Sequence, residues 1–194
     1  MPRVYYRKAR KDYPNQGIEK GDMYYFTQLK LPRDGVVKRS LTPFKRSQLT
    51  NIPFKSGYLS VGEIWDEAHK DGQAMRDAAG AIREIGEACN ESYENMPEGL
   101  QGGDTGQMLY VRAEQCESKA GELEGLADEF EALEDPGEFD PSDWSEEIWT
   151  MDPEDIGEFL SEKESEYEDE QSNFDSEMGR IVEEATDLIG DMPE

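Results

Sequence analysis

The chain is poor in the residues that build most catalytic and metal centres. It has one histidine, His69, and two cysteines, Cys89 and Cys116, among 194 residues. A single imidazole completes neither a His/Cys cluster nor a conventional triad, and two thiols fall short of a zinc ribbon. Long hydrophobic runs are missing too. No stretch approaches the roughly 20 apolar residues that span a bilayer. The opening "MPRVYYRKARKDYP" has none of the apolar core of a secretory signal. The expectation is a soluble, intracellular, non-enzymatic protein with no cofactor and no metal site. Acid is what the chain has in abundance: 46 Asp/Glu against 20 Lys/Arg, a formal net charge of −26.

That charge is unevenly spread. Residues 1–60 hold 13 Lys/Arg and 4 Asp/Glu, a net of +9, which leaves 7 against 42, a net of −35, in residues 61–194. Such asymmetry points to an interaction tail, a polyanionic surface, or two halves that attract each other. Hydrophobic residues make up 35% and charged residues 34%, so the core is thin and elongated helical packing is favoured over a sphere.

Residues 1–58 read as a basic β-rich head. "RVYYRKA", "DMYYFTQLKL" and "VVKRSLT" are rich in Tyr, Phe, Val and Thr, the residues that suit a pleated surface. "PRDG", residues 32–35, supplies turn chemistry for a hairpin between the second and third segments. Tyr5, Tyr6, Tyr24, Tyr25 and Phe26 interleave with a candidate basic binding surface of Arg7, Lys8, Arg10, Lys11, Lys38, Arg39, Lys45 and Arg46. Cations mixed with aromatics suit single-stranded nucleic acid, since they neutralise phosphates and stack bases. The same residues also suit a small tyrosine core with a solvated basic rim, or a basic face for an acidic protein.

Residues 60–135 read as an antiparallel coiled-coil helical hairpin. Ser60 and Glu63 form an S-x-x-E capping box. Trp65, Ala68, Gly72, Met75, Ala79, Ile82, Gly86, Cys89, Tyr93 and Met96 then follow in alternating steps of three and four, a heptad seam. After Pro97 and the glycines of "PEGLQGGD", Asp104 or Thr105 is placed to cap a second helix with the seam Leu109, Ala113, Cys116, Ala120, Leu123, Ala127 and Phe130. An antiparallel arrangement pairs Cys89 with Cys116, Ile82 with Leu123, Met75 with Phe130 and Gly86 with Ala120. The two cysteines then share a layer, and buried reduced thiols are the expectation over a redox crosslink. His69 is expected to be a solvated side chain.

Residues 136–194 read as an acidic connector and a long C-terminal helix. Ser142 is placed to cap a short helix carrying Trp144, Ile148 and Trp149, and Asp152–Pro153 to start the long one. Carboxylates crowd its faces, and Glu158, Glu162, Glu166, Asp169, Glu170, Glu177, Glu183 and Glu184 form a candidate acidic partner surface. Nothing has the D-x-D-x-D-G pattern of an EF-hand. A run like this is ordinarily a solvated face; the sharper reading is a polyanion that imitates a nucleic-acid backbone.

"KARKDYPNQGIEKGDMYYF", "RSQLT" and "NMPEGLQGGDTGQML" resemble segments of an uncharacterised family of bacteriophage and prophage proteins, over roughly residues 5–135. Members often carry further tryptophans after the tyrosine pair, where this chain has Phe26–Thr27. The resemblance implies a phage origin, and with it the cytoplasm of a host bacterium, but no activity. The expected fold is α+β: a small antiparallel β head, the helical hairpin and a long acidic third helix. The expected function is a phage accessory protein that binds a host or phage protein, as a nucleic-acid-mimicking inhibitor of host defence or DNA processing would. The alternatives are nucleic-acid binding through the head, with the acidic helices limiting non-specific contacts, and a coiled-coil assembly protein that forms homo-oligomers.

Overall fold

The structure, a computed structural model, describes residues 2–29, 35–50 and 52–193. It is mixed α+β, with three strands and six α-helices among the described residues. They run in the order β1 (Val4–Lys8), β2 (Met23–Leu29), β3 (Val36–Ser40), α1 (Pro53–Glu67), α2 (Gly72–Glu94), α3 (Glu98–Gln101), α4 (Asp104–Glu131), α5 (Ser145–Thr150) and α6 (Ile156–Gly190). No helix among the described residues is long and apolar enough to cross a membrane.

The sheet is antiparallel, ordered β1-β2-β3. Tyr6 pairs with Tyr25, Arg7 with Tyr24 and Phe26 with Arg39. The central strand must bury parts of both faces, and it does: Tyr24 and Thr27, on opposite faces, are both inaccessible. Between β1 and β2 the chain makes a 3-10 turn at Pro14–Gln16, then passes through left-handed Gly17. That reversal returns Ile18 onto Tyr24 and Ala9, the head's small core. A residue with a Cβ resists Gly17's φ of +62°. The expected turn between β2 and β3 lies, apart from Gly35, outside the described residues, although the strands it joins do pair.

The expected single helix over 60–96 is corrected in two ways. Its start lies earlier, at Pro53, where proline's missing N–H is harmless in the first turn. Ser60 and Glu63 sit inside that helix, so there is no capping box. Glu63 instead reaches out, accepting from the Ser47 amide at 2.9 Å and from Ser47 Oγ at 2.6 Å. Second, the seam breaks after Glu67. Asp71 caps a new helix by accepting from the Ala74 amide at 2.8 Å. Gly72 then lets α2 close on α4, where a Cβ would lie 3.2 Å from the Ala127 carbonyl. Heptad spacing continues through this break, but the hydrogen-bonding offer of Asp71 overrides it.

Among the described residues, helices α2 and α4 make the most extensive contact between any two elements. Gly72 lies against Ala127, Gly86 against Cys116 and Ala113, and Tyr93 against Tyr110. The nearest neighbours of a Cβ at Gly86 therefore lie one and two turns before the expected Ala120. Arg76 pairs with Asp128 and Glu131, and Arg83 with Glu124 and Glu117. Between the helices, Gln101 Nε2 donates to the carbonyls of Tyr93 and Met96. The "NMPEGLQ" turn thus satisfies acceptors that a helix C-terminus leaves open. α4 itself begins at Asp104 behind Gly103, with neither Asp104 nor Thr105 as its N-cap residue.

Tyr58, Val61 and Trp65 of α1, the inward faces of α2 and α4, and Ile181, Ala185 and Ile189 of α6 make one core. Trp65 Nε1 donates to Thr186 Oγ1, and Tyr58 Oη to the carbonyls of Leu188 and Asp191. Among the described residues, three buried cationic nitrogens have no hydrogen-bond partner, on Arg39, Lys70 and Arg112. Each side chain instead lies over an aromatic ring, of Tyr13, Trp65 and Phe54 respectively, 4.1–4.5 Å from its centroid. The ring quadrupoles compensate what water would have supplied.

The acidic end needs two smaller corrections. Asp140, not Ser142, caps the short helical segment, accepting from the Ser142 amide. The long helix starts at Ile156, because Asp152–Asp155 form a turn closed by the Asp155 amide on the Asp152 carbonyl.

Candidate functional sites: a divided basic head and an acidic helix

The eight basic candidates do not form one surface. Strand alternation sends Arg7 and Arg39 to the face covered by Tyr13, Ile18 and Tyr24. There Arg7 lies 4.0 Å from the Phe26 ring centroid and its Nε donates to Tyr24 Oη at 3.1 Å. Burial of the Tyr24 phenol works to raise its pKa, but hydrogen bonds from Arg7 and Tyr13 and the guanidinium charge outweigh it and hold the group below its usual range. Lys8 and Lys38 occupy the other face with Tyr6 and Tyr25. Lys38 is engaged, its Nζ donating to the Gln48 carbonyl at 2.7 Å.

Arg10 and Lys11 are exposed just beyond β1. Lys45 and Arg46 belong to the segment that leads to α1, where Lys45 pairs with Glu67 at 2.7 Å. That is the only ion pair joining the head to a helix among the described residues. The attraction expected between a +9 head and a −35 body is thus expressed at one peripheral point. The sequence reading missed the division of the head into two faces. The signal was available in the two-residue alternation, which sorts Tyr6 and Lys8 from Tyr5 and Arg7.

The eight acidic candidates, Glu158, Glu162, Glu166, Asp169, Glu170, Glu177, Glu183 and Glu184, all lie on α6 and all are exposed. α6 nevertheless has two parts. Its C-terminal part is anchored in the core, and Arg180 there pairs with Glu177, Glu184 and Glu129. From Ile156 to Arg180 no residue is buried. Along residues 156–175 eight carboxylates stand against one cation, Lys163, which pairs with Glu166 at 2.6 Å. At 1.5 Å per residue, a net of −7 over about 30 Å is one charge per roughly 4 Å. One strand of DNA carries one per ~3.4 Å.

The half-buried side of this stretch is aromatic. Phe139 of the connector packs on Trp144 and on Tyr167 of α6, with centroids 5.4 and 5.7 Å away, and Tyr167 Oη donates to the Gly137 carbonyl. Trp149 of α5 stands 90% exposed. Cys89 and Cys116 are free and buried; burial, then the neighbouring thiol, pushes Cys116 up to about 11, and burial also raises Cys89. Comparison with family models, with curated proteins and with solved structures finds no match for this chain.

Proposed function

We propose that this chain is a non-enzymatic phage accessory protein that binds a protein partner in the host cytoplasm through the free part of α6. That segment presents carboxylates where a nucleic acid presents phosphates. The observation that carries this reading is the stretch 156–175: exposed carboxylates at nearly the linear charge density of one DNA strand, on a helix whose far end is fixed in the core. The partner is then a protein with a basic groove built for nucleic acid, such as a defence or DNA-processing factor. The supporting body is proposed to be a coiled-coil hairpin of α2 and α4. The reversed order of their contacts, Gly72 with Ala127 and Tyr93 with Tyr110, supports that packing.

The test is retention from bacterial lysate by the immobilised full chain, with elution by salt and by duplex DNA. The expected result is a nucleic-acid-binding protein released by either eluant, because screened charges more than a Debye length apart no longer attract. It is lost from a variant carrying Glu158→Gln, Glu162→Gln, Glu166→Gln, Asp169→Asn and Glu170→Gln. A partner that resists salt and DNA, or that binds this variant equally, would overturn the reading.

A further inference from the structure

We propose a second, independent binding site: the open half of the sheet face carrying Tyr6, Lys8 and Tyr25 takes single-stranded nucleic acid. Direct cross-strand neighbours share a face, and Tyr6 and Tyr25 are such neighbours, with ring centroids 4.5 Å apart. Tyr6 is 56% exposed and Met23, paired with Lys8, is 43% exposed. Buried, hydrogen-bonded Tyr24 on the opposite face is what the head needs for its core. The Tyr6–Tyr25 pair stays at the surface, where a nucleobase can stack on its outer side.

Cations outnumber acids around the pair: residues 1–29 hold six Lys/Arg and three Asp/Glu. Lys8 shares its face, and Arg10 and Lys11 follow within a few residues, all exposed. The acids of the β1–β2 connection keep their charge, but two are held by its own backbone: Asp12 accepts from the Lys20 amide and Asp22 from the Glu19 amide. None of Lys8, Arg10 and Lys11 forms an ion pair among the described residues, and the one link to the helices uses Lys45. A flexible strand fits better than a duplex, because stacking on this pair requires an unpaired base. An acidic protein would use the cations but gain little from the rings.

The experiment is fluorescence polarisation of a labelled oligothymidylate of about twelve nucleotides with the full chain. Three phosphate contacts on a single strand predict that affinity falls roughly 15- to 20-fold between about 50 and 200 mM salt. Tyr6→Ala lowers affinity about 5- to 150-fold, the range of one lost base stack. Tyr5→Ala, on the opposite face of the same strand, changes it by less than about twofold. Lys8→Ala weakens binding and flattens the salt slope by about 0.7, and it removes no core residue. No binding at low salt would overturn the proposal. So would equal losses from Tyr5→Ala and Tyr6→Ala, or displacement by polyglutamate as effective as by oligothymidylate; the latter outcome would assign the face to an acidic protein. None of these variants touches α6, so this site and the acidic one stand or fall separately.

Discussion

Glycines inside helices ordinarily weaken them, yet the helical glycines here divide sharply by what surrounds them. A Cβ at Gly86 would lie 2.8 Å from Cys116 Cβ and 3.3 Å from the Ala113 carbonyl. At Gly121 and Gly179 it would meet nothing within 4 Å. Gly121→Ala and Gly179→Ala are therefore expected to stabilise the protein by about 0.5–1 kcal/mol each, through reduced backbone freedom in the unfolded chain. Gly86→Ala is expected to destabilise it by about 1–3 kcal/mol, since forcing α2 away from α4 outweighs the propensity gain. Urea denaturation of the three variants checks both signs. The thiols beside Gly86 follow from the same tight approach. With Cys116 held at about 11 and Cys89 raised, both remain protonated at neutral pH. A thiol reagent at pH 8 is expected to react slowly with the native protein and to titrate both cysteines once urea unfolds it.

At the scale of elements, charge acts in opposite directions on the two ends of the helical body. Along α6 from 156 to 175, like charges repel with little compensation, and Lys163 alone relieves them. Raising salt screens that repulsion, so helical circular dichroism is expected to rise between low and high sodium chloride. Between α2 and α4 two guanidiniums each pair with two carboxylates. The Arg83 and Arg76 guanidiniums, by hydrogen bonding, hold Glu124 and Glu131 below the usual carboxylate value of 4.5. A carboxyl lowered in the folded state adds stability above its unfolded value, and that contribution disappears as pH falls through the folded one. Arg76→Gln and Arg83→Gln should thus lower the melting temperature at pH 7, and the deficit should shrink as pH falls below 4.5 and through the lowered folded values. The same scale shows how much was legible in the sequence. Strands announced themselves through their richness in Tyr, Phe, Val and Thr, and the three long helices through their apolar spacing. The break at Ala68–Asp71 did not, because spacing is blind to a competing cap, here the Asp71 carboxylate on the Ala74 amide. Nor did the candidate basic site survive as one surface, because residue type alone does not say on which side of a strand Arg7 and Lys8 fall.

For the whole molecule, the question is what joins a basic head to an acidic body. Long-range attraction suggests electrostatics, but the contacts suggest otherwise. Lys45–Glu67 is a single pair with half or more of both side chains exposed, and such pairs contribute about 0–1 kcal/mol. The stronger connection is the buried Ser47, whose amide and hydroxyl both donate to Glu63, while its carbonyl accepts from Ser56 Oγ. Three hydrogen bonds, two of them to a charged acceptor, fix the 3-10 turn Ser47–Leu49 on α1, and hydrogen bonds to charged groups are the stronger kind. Glu63→Ala should therefore loosen the connection far more than Lys45→Ala. Limited proteolysis of the segment 41–52 reads this directly: cleavage accelerates in Glu63→Ala and stays near the parental rate in Lys45→Ala. Salt supplies the second axis. If the head were held by its net charge, raising salt would speed cleavage of the parental chain; a junction held by Ser47 and Glu63 keeps that rate nearly constant. The head then remains a separate basic surface at every salt concentration, as the two proposed sites require.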